Sequence, residues 1–194
     1  MAHYAIVVDL DRCIGCHGCE IACKNENNIA LGEYWNKVVE RGPFGEYPDL
    51  EMYFLPTMCQ QCQDAPCVNV CPTGASYRDA DGMVLVDKEK CIGCKYCMMA
   101  CPYGVRSWSP SEHVVEKCTL CGQLTSVGEE PKCVAACCAS ARFYGDLDDP
   151  NSDASKALAA AGADSVHRLK DVGNGPQTAY ILSAKYAEWK EEVK

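Results

Sequence analysis

Positive charge is scarce in this sequence. Its 194 residues hold 18 Lys+Arg against 27 Asp+Glu, a formal net charge of −9. A chain this acidic lacks the clustered Lys and Arg that grip phosphate backbones, so nucleic acid is not an expected partner. Long apolar runs are missing as well. Ala5–Val8 and Met83–Val86 are strand-sized, far short of the roughly 20 residues of a membrane-spanning helix. The opening residues, Met1-Ala2-His3-Tyr4-Ala5-Ile6-Val7-Val8-Asp9, show no basic region, no long apolar region and no twin arginine. The chain is therefore expected to have no export signal and no anchor of its own. Histidine is rare too: His3, His17, His113 and His167 show no metal-ligand spacing. Ser, His and Asp form no triad pattern, so no hydrolytic or transfer site and no substrate pocket is expected. Disorder is excluded by a hydrophobic content of 48%.

Cysteine is abundant instead, at 17 residues. The odd count argues against a pure disulfide framework. Sixteen of them fall into four quartets. Cys13, Cys16, Cys19 and Cys23 read C-x2-C-x2-C-x3-C, and Cys91, Cys94, Cys97 and Cys101 repeat that spacing before Pro102. Cys59, Cys62, Cys67 and Cys71 read C-x2-C-x4-C-x3-C before Pro72. Cys118, Cys121, Cys133 and Cys137 read C-x2-C-x11-C-x3-C. The remaining residue, Cys138, stands where the prolines stand and is expected to pack as a small apolar side chain.

The third quartet matches the bacterial ferredoxin run C-x2-C-x2-C-x3-C-P at every position. Three thiolates two residues apart on a tight loop can converge on three corners of one iron–sulfur cubane. The loop's backbone N–H groups then offset its negative charge. Gly15, Gly93 and Gly122 fit the loops' need for unusual dihedrals or close approach. The fourth cysteine is expected to open a helix. Loop residues such as Ile14, Ile92 and Met98 would keep water away. Zinc is the competing reading. The fourth quartet alone could make an all-cysteine zinc site, whereas C-x2-C-x2-C crowds three ligands into one short loop and fits zinc poorly.

An internal repeat sets the organisation. Val7–Cys16 aligns with Leu85–Cys94, each a short apolar strand entering a cysteine loop; Cys71–Ala75 echoes Cys101–Val105. The expected fold class is α+β, with two interleaved ferredoxin-like modules, each holding two [4Fe–4S] clusters, related by a pseudo-twofold repeat. Residues 1–54 form the first half of the outer module, 55–110 the inserted module, 111–148 the second half of the outer module, and 149–194 a small helix/strand extension. If the ferredoxin crossing rule holds, Cys13, Cys16 and Cys19 share a cluster with Cys137. Likewise Cys118, Cys121 and Cys133 take Cys23; Cys59, Cys62 and Cys67 take Cys101; and Cys91, Cys94 and Cys97 take Cys71.

The stretch 24–54 is aromatic, with a turn expected at Arg41-Gly42-Pro43 and a strand at Glu51–Leu55. Its aromatics are either cover for the clusters or a docking face for a partner. His17, inside the first loop, either tunes the nearest cluster by charge or is simply exposed. In the tail, a helix is expected over Ala154–Ala161 with Gly162 closing it, a strand over Gln177–Leu182, and a final helix over Ala184–Val193 capped by Ser183.

Over nearly its whole length the chain resembles the four-cluster iron–sulfur subunits of molybdopterin oxidoreductases related to dimethyl sulfoxide reductase and polysulfide reductase. Cys13–Lys24, Cys59–Val68 and Cys91–Pro102 carry the resemblance, with Phe143-Tyr144-Gly145-Asp146-Leu147-Asp148-Asp149-Pro150 as a cysteine-free signature. Cys138 in place of the usual proline is the departure. The resemblance implies a larger partner carrying a molybdopterin cofactor, a membrane anchor subunit exchanging electrons with quinones, and four [4Fe–4S] clusters wired between them. It places the chain peripherally on the cytoplasmic membrane within a complex, or in the cytoplasm, with export alongside the catalytic subunit open. A stand-alone polyferredoxin, or a subunit of a formate dehydrogenase or hydrogenase, is the alternative. Four oxidised cubanes, each about −2 with their thiolates, would take the net charge to roughly −17.

Overall fold

The computed structural model describes residues 3–183, 188–190 and 192. The chain runs β1 (Tyr4–Asp9), α1 (Gly18–Glu26), β2 (Asn36–Phe44), β3 (Glu51–Met58), α2 (Pro66–Asn69), β4 (Ser76–Arg78), β5 (Val84–Val86), α3 (Tyr96–Met99), β6 (Ser107–Ser109) and β7 (Val114–Glu116). It continues with α4 (Gly122–Thr125), α5 (Lys132–Ala135), β8 (Arg142–Asp146), α6 (Asp153–Ala161), a 3-10 turn, β9 (Val166–His167) and β10 (Ala179–Ile181). Short helices and strands mixed along the chain make an α+β fold.

One four-stranded sheet, in the order β8-β1-β10-β9, organises the outer half of the chain. β1 is antiparallel to β8, with Val7 opposite Phe143, and parallel to β10, with Val7 opposite Ala179. Alternation along β1 serves two cores. Ile6 and Val8 point into the main core, while Val7 packs with Ala154, Ala179 and Ile181 beneath α6. The tail expected as an extension thus supplies two strands of this sheet, and fully buried Tyr180 is among its contributions. A parallel partner for β1 cannot come from a tight hairpin, which is why the far end of the chain returns to fill that place. α6 begins at Ser152, whose side chain accepts from Ser155 N, and ends at Gly162. The expected closing helix, Ala184–Val193, lies for the most part outside the described residues.

Three two-stranded ribbons, β2-β3, β4-β5 and β6-β7, complete the architecture. The turn expected at Arg41–Pro43 is absent there. β2 runs on to Phe44 through a register shift between Arg41 and Phe44, and the chain reverses at Glu46–Asp49. Each strand of a two-stranded ribbon has a free edge, so Pro56 is tolerated inside β3. Two helix pairs stand beside the cysteine loops and carry five of the cysteines: α1 packs on α5, and α2 on α3.

Candidate metal centres

The cysteine loops owe their shape to a few residues with positive φ. His17 (φ 58) and Lys95 (φ 64) occupy equivalent places and turn the chain into α1 and α3. The helices therefore begin just before the third cysteine rather than at the fourth, and a C-x3-C step spans about one helical turn. Gly15 (φ +65) lies against the Phe54 ring, and Gly93 (φ +68) against the His113 carbonyl and the Trp108 ring. A Cβ at Gly93 would stand 2.8 Å from that carbonyl oxygen. Gly122 has no such role: it opens α4, and the positive φ belongs to Leu120 and Cys121.

Four gatherings of cysteine result, each drawing on two quartets. At site I, Cys13 neighbours Cys19 and Cys137, with Cys16 exposed on the same loop. At site II, Cys23 neighbours Cys118, Cys133 and Cys121. Site III is a small cavity lined by Cys59, Cys62, Cys67 and Cys101. Site IV is a small cavity lined by Cys71, Cys91, Cys94 and Cys97. The sites also neighbour one another in series: Cys19 lies near Cys133, Cys118 near Cys59, and Cys67 near Cys97. Cys138 is exposed rather than packed, its Sγ 3.7 Å from that of Cys16. Ile14 and Ile92, expected to shield the sulfurs, are 63% and 67% exposed, although Ile92 still lines the site IV cavity.

The thiols respond to these surroundings. Burial, reinforced by Cys59, pushes Cys62 up to about 12. Burial and the neighbouring Cys133 push Cys118 to about 12 as well, and burial beside Cys118 drives Cys23 well above the ordinary thiol range. Cys71 goes the other way. Burial raises it, but N–H groups led by that of Ser76 outweigh the effect and lower it. Cys23, Cys62 and Cys118 are thus neutral on their own, and metal binding must displace their protons.

Several polar residues that sequence reasoning missed surround the sulfurs. Asn174 donates from Nδ2 to Cys62 Sγ at 2.9 Å, and Asn27 reaches Cys23 and Cys121. Backbone N–H groups of Ser76, Leu120 and Ala141 point at Cys71, Cys118 and Cys137. Gln61 accepts from Val84 N and donates to Cys118 O, tying two cysteine loops together. Arg106 and Arg142 are buried among the cysteines. No cue of spacing or composition distinguishes the glutamines or asparagines; the arginines share one, their offset from the preceding cysteine. His17 Nδ1 lies 3.2 Å from the Glu20 carboxylate. The aromatics divide: Trp35 and Tyr53 are buried, Phe54 covers the Gly15 loop, and Tyr47 is exposed.

These surroundings fit an anionic iron–sulfur group. Sulfurs ring a shared space at sites III and IV, N–H groups converge on them, and Arg106 Nη1 and Arg142 Nε are buried with no acceptor among the described residues. The model of the 4Fe-4S dicluster domain matches residues 12–75 and 50–147. A chain named as a dimethyl sulfoxide reductase iron–sulfur subunit in Halobacterium salinarum is 43% identical, over 93% of this chain and 79% of its own length. The arsenate respiratory reductase iron–sulfur subunit ArrB of Shewanella sp. (strain ANA-3) is 36% identical, over 92% and 95%. The thiosulfate reductase electron transfer subunit PhsB of Salmonella typhi is 39% identical, over 96% of both chains. With two dicluster matches and sixteen cysteines in four quartets, the chain carries four [4Fe–4S] clusters. It belongs to the electron-transferring iron–sulfur subunits of the dimethyl sulfoxide reductase and polysulfide reductase family of molybdopterin oxidoreductases.

Proposed function

We propose that sixteen cysteines are the iron ligands, in four sets. Cys13, Cys16, Cys19 and Cys137 serve site I; Cys23, Cys118, Cys121 and Cys133 site II; Cys59, Cys62, Cys67 and Cys101 site III; and Cys71, Cys91, Cys94 and Cys97 site IV. Each cluster, when bound, takes up and gives up single electrons. The protein orients the sulfurs, supplies N–H groups to them and keeps water from the inner sites. Sites I and II with the outer sheet form one ferredoxin-like module, and sites III and IV form the one inserted into it. The packing of α1 on α5 and of α2 on α3 supports that division and its pseudo-twofold relation.

The chain relays electrons between a molybdopterin-containing catalytic subunit and a quinone-linked membrane anchor, held peripherally on the membrane by the complex. The observation that carries the relay is the series of neighbours Cys19–Cys133, Cys118–Cys59 and Cys67–Cys97, with exposed cysteines only at its two ends. No helix of the described residues is long and apolar enough to cross a membrane, so an anchor supplied in trans fits. Copurification tests the reading. A large molybdenum-containing chain and a membrane chain are expected to accompany this one, together with about sixteen iron and sixteen sulfide per copy. A preparation that runs alone at its own mass and is reduced freely would instead be a polyferredoxin.

A further inference from the structure

Arg106 and Arg142 are 5% and 4% exposed. A guanidinium stays charged under all ordinary conditions, and burying one without an anion is strongly unfavourable. Neither belongs to any carboxylate pair among the described residues. Their protein partners are neutral. Arg106 Nη2 donates to Ser76 Oγ at 2.7 Å. Arg142 donates to Asn36 Oδ1 at 3.2 and 3.3 Å and to Met58 Sδ. Each keeps one buried N–H with no acceptor, Nη1 in Arg106 and Nε in Arg142.

Their other neighbours are cysteine sulfurs, and each arginine faces two sites. Arg106 lines both the site III and the site IV cavity, with Cys67 and Cys97 in reach. Arg142 is surrounded by Cys133, Cys118 and Cys23 of site II and by Cys19 and Cys13 of site I. The two are also equivalent in the chain. Arg106 stands five residues after Cys101, and Arg142 five residues after Cys137. The corresponding places after Cys23 and Cys71 hold Asn28 and Ser76, so each pair of sites receives one arginine.

We infer that Arg106 and Arg142 are matched charge bridges, one per module, each raising the reduction potentials of the two clusters it lies between. The inference rests on the four-cluster reading above. Reduction adds negative charge to a cluster, so a fixed positive charge favours the reduced state over the oxidised one. A charge shared between two sites moves both, and it acts less on sites in the other module.

The test is an EPR-monitored redox titration of the holoprotein with whatever subunits copurify, in the wild type and in R106Q, R106K, R142Q and R142K. Four clusters in the wild type support the underlying reading; fewer overturn that reading independently of the arginines. R106Q is expected to move two of the four midpoint potentials to more negative values, and R142Q the complementary two. Both Lys variants should stay close to wild type. Unmoved potentials in fully loaded Gln variants, or both Gln variants moving the same pair, would overturn the inference. So would Lys variants that shift as far as Gln. If the Gln variants fail to load clusters, full loading of the Lys variants at unmoved potentials supports the charge role. Failure of both to load overturns it in favour of packing.

Discussion

The two middle sites and the two end sites are built from the same loop chemistry, yet they differ in cover. At sites II and III, Cys23, Cys118, Cys121, Cys133, Cys59, Cys62 and Cys67 are buried, and Cys101 is half-buried. At sites I and IV, Cys16 and Cys94 are exposed, and Ile14 and Ile92 on the same loops are largely exposed too. All four gatherings are built of cysteine, so cover is what sets the end sites apart from the middle ones. Middle sites are enclosed by protein, whereas end sites present a sulfur and an apolar residue to whatever docks there. Ile14 and Ile92 stand at equivalent places in the repeat, so one loop design furnishes both contact points.

The largest effect should come from emptying the middle. C118S removes a buried sulfur that neighbours both Cys133 and Cys59. It is expected to abolish the site II cluster and to slow electron flow from one end to the other by more than about 10-fold. Each end should still be reducible from its own side. Wild-type flow across a chain lacking that cluster would show that the sites do not act in series.

Oxidation separates the two classes next. Thiolate reactivity follows exposure, so on treatment of the isolated subunit with peroxide, sites I and IV should lose iron before II and III. Binding of the partner subunits should erase the difference. Simultaneous loss from all four sites in the isolated chain would remove cover as the distinguishing feature.

The two ends can then be compared with each other. Gly93 approaches a carbonyl oxygen and an indole ring, whereas Gly15 approaches only the Phe54 ring. A ring at the end of a side chain can shift, but backbone cannot do so cheaply. G93A is therefore expected to destabilise the holoprotein by about 1–3 kcal/mol, and G15A by less. Thermal unfolding of the two variants checks the order. Equal losses would mean that the left-handed backbone alone sets the cost.

Much of this arrangement was legible in sequence because ligation chemistry fixes spacing. The quartets located the sulfurs, and the repeat from Val7 to Cys16 and from Leu85 to Cys94 located two equivalent loops. α6 also announced itself, with Ser152 and Gly162 as its boundaries. Cover was not legible. Ile14 and Ile92 look like shielding in sequence, yet each leaves more than half of its surface to solvent, because burial depends on which distant segments arrive. Cys138 was expected inside for its type and lies outside beside Cys16. The parallel pairing of β1 with β10 joins residues about 170 apart, a distance at which local periodicity carries no signal. Arg106 and Arg142 did leave a trace, an equal offset from the last cysteine of their quartets, but its meaning needed the buried, carboxylate-free setting.

The smallest predicted effect tests the middle sites at the level of one hydrogen bond. Asn174 is 1% exposed and donates to Cys62 Sγ at 2.9 Å, held in place by Tyr103. An N–H aimed at sulfur favours the thiolate over the thiol. Here it opposes the burial that pushes Cys62 up to about 12. N174L keeps the volume and removes the donor, so the thiol should climb further. Protons compete with iron for the sulfur, and a higher thiol pKa means that they win at a higher pH. On acidification, site III of N174L should therefore release its iron at higher pH than wild type. Its midpoint potential should fall, though by less than in R106Q, because a neutral dipole is weaker than a full charge. Iron release followed against pH checks the first expectation, and a redox titration the second. A wild-type release profile in N174L would mean that enclosure alone, without this donor, holds the middle of the molecule together.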